Sequence, residues 1–249
     1  MKWIYINTGD NTGLYNMEFD MNLVKDVVPG NIYFRLYRWS PYCVSLGANQ
    51  NIGEIDEFKV KEDGIDLVKR PTGGRAILHS EELTYSIIMS LENDSSPKNI
   101  YRQINLALIN GLKIYDFSLT ELEIEGVSPD LLSMYKDNLG SACFAVPAKN
   151  EIKYSGKKLV GSAQRKVGRV LLQHGSIMCG NYHLNLADYL NLSTNERKKI
   201  KEDLKSKTIE LETILNNKTD YHYLSESIVK GFEEFFAVRM QREELILSN

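Results

Sequence analysis

The run EIKYSGKKLVGSAQRKVGRVLLQHGSIMC, residues 151–179, limits the fold more than any other part of this 249-residue chain. Ser155-Gly156 separates two strand-like runs, and Gly168 opens a second break before RVLLQHGSIMC. A Gly-bearing pair between apolar runs is a turn signal, so the segment reads as consecutive strands that pair with one another. Such strands have an apolar face to bury, so the rest of the chain must supply more sheet or helices to cover it.

It supplies both. WIYIN (residues 3–7) reads as a strand, and NIYFRLYRW (31–39) alternates apolar with polar, the pattern of a half-buried strand. YCVSLGANQ reads as a strand closing at Gly47, and residues 66–69, 76–78 and 83–90 are further strand candidates. Residues 15–28 form a helix pattern that Pro29-Gly30 stops, and residues 51–62 a short polar one. Residues 98–112 place Ile104, Leu108 and Ile109 on one helical face. Residues 118–125 return to extended structure. The pattern turns helical from about residue 186, with the charged NERKKIKEDLKSK and an amphipathic stretch over 223–236. The expected class is α/β of the α+β kind: mixed, largely antiparallel sheets flanked by helices. Residues 1–249 are expected to form one domain, with a helical C-terminal portion from about 186.

Composition narrows the function classes. A net charge of −3 argues against a dominant nucleic-acid role, and no apolar run approaches the ~20 residues of a membrane span. The opening MKWIYINTGDNTG lacks an apolar signal core, so a cytoplasmic, monomeric protein is expected. Cys43, Cys143 and Cys179 are odd in number, widely spaced and without a CxxC pair. They read as free thiols in a reducing compartment, and no metal site is expected.

Phosphate-loop, dinucleotide, HExxH and GxSxG motifs are all absent. What stands out is KRPTGGRAILHSEELTYSI, residues 69–87, where Gly73-Gly74 is flanked by Arg70, Arg75 and His79. A Gly pair can be a plain hairpin turn with φ > 0 at both positions. It can equally bring bare backbone and positive charge up to a ligand. The second candidate is Cys143, in the small, turn-rich NLGSACFAVPAKNE, together with Lys158 in SGKKLVGSAQ. A free cysteine is ordinarily a buried apolar filler, which suits Cys43 and Cys179 inside apolar strands, and a lone lysine is ordinarily solvated. A lysine ammonium about 4 Å from a thiol is worth roughly 4 kcal/mol at an effective dielectric near 20, enough to hold the thiol as a nucleophilic thiolate at neutral pH.

RPTGGRAILHSEELTYSI resembles the signature of the lipoate/biotin protein ligase superfamily, in which an Arg-rich Gly-Gly loop precedes a strand bearing His. GKKLVGSAQRKVGRVLLQHGSI is similar to its lysine-bearing segment. YRWSPYCVSLGANQNI, INTGDNTGLYNMEFD and KTIELETIL resemble its N-terminal strands, first helix and C-terminal end, so five blocks match in order. The sequence departs from the family pattern at NMEFDMN and at Ser80. GGRA in place of GGGA, and the Cys143-Phe144 pair some fifteen residues before the lysine, resemble the cysteine-dependent octanoyltransferases of the Bacillus type.

The resemblance implies the biotin/lipoate ligase catalytic fold and a reaction without cofactor. Octanoyl would pass from octanoyl-acyl carrier protein to Cys143, then to a lysine of a lipoyl domain or of the glycine-cleavage H protein. Lys158 would stabilise the thiolate or oxyanion, or accept a proton from the incoming lysine. Arg70, Gly73, Gly74, Arg75, His79, Gly161 and Ser162 would bind the acyl group and its carrier. Two alternatives stay open: an ATP- and Mg-dependent lipoate or octanoate ligase, with Arg70 and Arg75 on an adenylate phosphate, and a lipoyl amidotransferase.

Overall fold

The computed structural model describes residues 1–92, 94–124 and 151–243. The chain opens with β1 (Lys2–Asn11), α1 (Gly13–Lys25), β2 (Asn31–Trp39) and β3 (Cys43–Leu46). Thr12 caps α1 by accepting from the Tyr15 N–H, and the helix ends just before Pro29-Gly30. The polar helix expected over 51–62 is two pieces: a 3-10 turn, Ile52–Glu54, and α2 (Glu57–Glu62). Each piece has its own N-cap, Asn51 and Asp56, and Ile55 between them is extended and buried. Next come β4 (Asp66–Lys69), β5 (Ile77–His79), β6 (Glu82–Ser90) and α3 (Pro97–Tyr115). Residues 118–125 are not the continuous strand expected. Asp116 accepts from both the backbone N–H and the hydroxyl of Ser118, which curls Phe117–Glu121 into a 3-10 turn and leaves β7 (Glu123–Ile124) as the extended part.

The C-terminal half holds the strands read from its turns: β8 (Ile152–Tyr154), β9 (Lys157–Val167) and β10 (Val170–Met178). Ser155 and Gly156 both have positive φ, 49° and 75°, the backbone that a two-residue hairpin of matching twist requires. A 3-10 segment, Tyr182–Tyr189, leads into α4 (Thr194–Lys207), α5 (Leu211–Leu215), α6 (Tyr221–Phe236) and β11 (Gln241–Glu243).

Among the described residues, eight strands form one sheet in the order β11-β1-β2-β6-β10-β9-β8-β7, and three form another, β4-β3-β5. The large sheet is antiparallel from β2 to β7, with parallel β1–β2 and β1–β11 pairs at the other end. β2 has the bounds expected but is not half-buried. Helices cover both its faces, and Arg35, on the side read as solvent-facing, is fully buried. One face carries Phe34, Leu36, Tyr85 and Ile87 against α3 and α6. The other meets α1 through Val24, Ile88 and Leu172. The small sheet packs through Val44, Leu46 and Leu78 on the 3-10 segment and α4. No helix among the described residues is long and apolar enough to cross a membrane.

α3 and α6 approach so closely that a Cβ on Gly231 would lie 2.2 Å from the Gly111 nitrogen. That contact lets Phe232 stack on Phe34, with centroids 4.4 Å apart and planes at 21°. We expect Gly231→Ala to push the helices apart and destabilise the fold by about 1–3 kcal/mol, the range for overpacking, read from denaturant midpoints at unchanged slope. Ala at the exposed Lys230 is expected to change stability by less than about 0.5 kcal/mol.

Candidate active site

α1, the small sheet and the polar face of the large sheet leave a cavity between them. Met17, Tyr37, Trp39 and Ile77 give it apolar walls, and His79, Thr84, His174 and Ser176 line its polar side. Gly161, Ser162 and Ala163 of β9 form a further wall. Gly175 of β10 keeps that wall close, since a Cβ there would lie 2.5 Å from the Gly161 carbonyl oxygen. The Ser162 hydroxyl is held by Tyr85 Oη at 2.7 Å, and its carbonyl accepts from Tyr101 at 3.1 Å.

The Gly-Gly loop is not a hairpin turn. It joins β4 to β5, which lie on either side of β3, so the loop has to cross the end of that strand. Of the pair, only Gly74 has positive φ, 97°. A Cβ on Gly47, at the end of β3, would lie 2.0 Å from the Gly74 carbonyl oxygen, so the crossing requires Gly47 as well. Arg70 fastens the crossing from inside. Its Nη1 donates to the Ser45 carbonyl (2.8 Å) and hydroxyl (3.2 Å), and its Nη2 to the carbonyls of Gly73 (3.0 Å) and Arg75 (2.7 Å). Arg165 of β9 reaches the Pro71 carbonyl from the other side. Arg75 points elsewhere, toward Glu54 at 3.5 Å.

His79 sits at the centre of a buried relay. Its Nε2 is 2.8 Å from Ser45 Oγ, its Nδ1 is 2.8 Å from Glu82 Oε1, and its ring stacks on Trp39 at 3.9 Å. Ser176 and Thr84 also donate to Glu82. Burial alone would raise the Glu82 carboxyl, but the charge of His79 and these hydrogen bonds outweigh it and hold the group below its ordinary range. His174 bonds Thr72 at 2.6 Å. Burial, then the charges of Arg70 and His79, push it down to about 3, so it is neutral at pH 7.

Lys158 is not the solvated residue that a lone lysine usually is. It is buried, with Nζ 2.7 Å from Glu151 Oε1, and Glu151 lies on the cavity wall. The Lys158 carbonyl accepts from the Ile209 N–H at 2.9 Å, which ties β9 to the start of α5. The expected nucleophile, Cys143, lies outside the described residues. Cys43 and Cys179 are buried thiols, both pushed up from the ordinary range by burial, as the filler reading expects.

The structure therefore gathers Arg70, His79, Gly161 and Ser162 on one cavity, with Lys158 held against its wall. Gly73 and Gly74 shape the neighbouring loop, and Arg75 stands apart. Sequence reasoning missed Glu151, Glu82, Trp39 and Thr84. Glu82 and Thr84 lie two apart in β6 and so share a face, a spacing the sequence shows once either is singled out.

His174 generates a pH prediction. Its folded value lies below its unfolded one of about 6.5, so between the two the unfolded chain binds more protons and stability falls on acidification. We expect this group to cost about 2 kcal/mol of stability between pH 8 and pH 5, and His174→Gln to flatten that part of the profile in denaturant melts.

Residues 12–233 match the family model for the lipoyl protein ligase A/B catalytic domain. The chain is similar to octanoyltransferase LipM of Staphylococcus aureus, with 33% identity over 98% of this chain and 90% of the relative. It is also similar to octanoyltransferase LipM of Clostridioides difficile, at 34% over the same shares, and of Bacillus subtilis, at 30% over 98% and 89%. Its fold is similar to a bipartite lipoate protein ligase from Thermoplasma acidophilum, with a TM-score of 0.76, 19% identity and coverage of 99% and 88%. A lipoate-protein ligase A bound with ATP gives a TM-score of 0.74 at 19% identity, covering 98% and 90%. With a family model that spans most of the sequence and full-length relatives above 30% identity, this chain belongs to the lipoyl protein ligase A/B catalytic domain family, among the LipM octanoyltransferases.

Proposed function

We propose that this protein moves an octanoyl group from octanoyl-acyl carrier protein, through a thioester on Cys143, to a lysine of a lipoyl domain or glycine-cleavage H protein. The observation that carries the reading is the cavity with apolar walls and a buried cation, Lys158, held at its edge. An octanoyl tail has about six methylenes, and burying them at ~0.8 kcal/mol each is worth about 5 kcal/mol, so a dry apolar slot holds the group without further contacts. The LipM relatives support the choice of acyl group. We read residues 1–249 as one catalytic unit, supported by a main core that draws on β1 and β2 at one end and α6 at the other.

In this reading the Cys143 thiolate attacks the thioester carbonyl carbon, a new C–S bond forms, the carrier's C–S bond breaks, and the carrier leaves as its thiolate. The acceptor lysine, as free amine, then attacks the same carbon. The C–N bond forms, the enzyme's C–S bond breaks, and the sulfur takes up the proton that the amine gives up. Lys158 supplies positive charge to the thiolate and to the oxyanion of both steps. His79, fixed by Glu82 and Ser45, borders the polar end of the slot. Arg70 holds the Gly-Gly loop against it, and because its Nη groups donate to backbone carbonyls and to the Ser45 hydroxyl its part is to shape the pocket. Gly161 and Ser162 line the acyl path.

The test is intact-protein mass after mixing with octanoyl-acyl carrier protein in the absence of ATP. A hydroxylamine-sensitive octanoyl adduct is expected on the wild type and none on Cys143→Ala. An adduct that needs ATP, or full transfer by Cys143→Ala, would move the reading to a ligase. Loading only from octanoylated H protein would move it to an amidotransferase.

A further inference from the structure

Glu151 has no part in the reaction as just described, yet it is among the most constrained side chains of the site. Its Oε1 lies 2.7 Å from Lys158 Nζ, and the two side chains are 4% and 3% exposed. A buried ion pair is a weak source of stability, because desolvating two charges takes back most of what their attraction gives. Its place in the fold gives it another use. Glu151 is on the cavity wall, directly before β8, and the Ser155-Gly156 turn folds β8 back on β9 so that Lys158 comes alongside. A shift in register between Ile152 and Lys153 interrupts the regular ladder beside the pair.

Resting on the reading of this cavity as the acyl-transfer site, we propose that Glu151 is the counter-charge to Lys158 that lets the acceptor's lysine enter. The two half-reactions place opposite demands on the cavity. Loading develops negative charge on sulfur and on the carbonyl oxygen, and an ammonium held at one point favours both. Transfer brings in a lysine that arrives from solvent as an ammonium. In a low-dielectric cavity an uncompensated Lys158 cation repels it, and the repulsion acts over about 4–6 Å, the range in which like charges oppose each other's ionised forms. With Glu151 beside it the pair is neutral overall. Lys158 still donates a hydrogen bond to the oxyanion, and the pair adds no net positive charge against the incoming amine. Glu151 forms and breaks no bond with the acyl group, and it acts through Lys158.

The prediction separates the half-reactions. Loading is followed by intact mass after mixing with octanoyl-acyl carrier protein, and transfer by mixing preloaded enzyme with a lipoyl domain. Glu151→Gln keeps an oxygen for Lys158 to donate to but removes the charge. It is expected to load within about threefold of wild type and to transfer about 10- to 100-fold more slowly. Glu151→Asp keeps the charge at shorter reach, and is expected to load as wild type and transfer about 3- to 10-fold more slowly. Wild-type transfer by Glu151→Gln would overturn the proposal, as would equal slowing of both half-reactions, the mark of a merely structural role. If Glu151→Gln does not fold, the aspartate variant decides, and equal effects on its loading and transfer overturn the proposal. A wild-type enzyme that never loads refutes the acyl-transfer reading itself, which is a different result.

Discussion

The buried guanidinium of Arg70 stands where the small sheet, the Gly-Gly loop and the cavity meet, and the site depends on what it holds. It takes two oxygens of Ser45 on β3 and two carbonyls of the loop that crosses the end of that strand. Ser45 in turn meets His79, and His79 meets Glu82 on the large sheet. One chain of polar contacts therefore runs from the loop through the small sheet to the large one. The side chains of Arg70, Ser45, His79 and Glu82 are all buried, and a buried donor or acceptor left without its partner costs about 1–3 kcal/mol, so the chain is hard to rearrange piecemeal. This fixes the cavity's polar side while its apolar side stays plain wall.

The face of the large sheet toward α1 has a second buried polar cluster of the same kind. Arg35 is paired with Asp20 at 2.9 Å, takes the carbonyl and side-chain oxygens of Asn16, and lies over the rings of Phe19 and Tyr37. Asp20 also accepts from Ser86. Burial raises the Asp20 carboxyl, and Arg35 works against that rise. Such a layer adds little net stability over an apolar one. It does fix the position of α1, which carries Met17 to the cavity wall.

The cavity thus separates two kinds of work. In the proposed reading apolar residues give an acyl chain somewhere dry to lie, and the charged groups around it are mostly paired or neutral. Glu82 is hydrogen-bonded by His79, Ser176 and Thr84, Lys158 is paired with Glu151, and His174 is held uncharged. A slot of balanced charges suits a reaction in which negative charge appears briefly on oxygen and sulfur and then disappears. It also suits a thioester whose loss to water must be slow against its transfer to the acceptor.

Much of the fold was legible because local patterns and tertiary structure agreed. NIYFRLYRW became a strand over the residues its alternation marked, and Ser155-Gly156 made the turn that its composition demanded. The family blocks marked Arg70, His79, Gly161 and Ser162, which the fold brings to one cavity from three separate stretches. What the residues did not disclose was burial of charge. Arg35 read as solvent-facing and Glu151 was not singled out, because a one-dimensional pattern scores polarity and cannot see that Asp20 or Lys158 will be opposite. The Gly-Gly pair likewise read equally as hairpin or loop, since both use glycine. Only the strand order β4-β3-β5, with Gly47 against Gly74, decided that the chain crosses over a strand end there. The sequence by itself determined strands, turns and the family, which are set by neighbours a few residues apart. Tertiary structure alone decided which charges are paired and which face of each strand is dry, because those depend on how strands and helices are arranged in space.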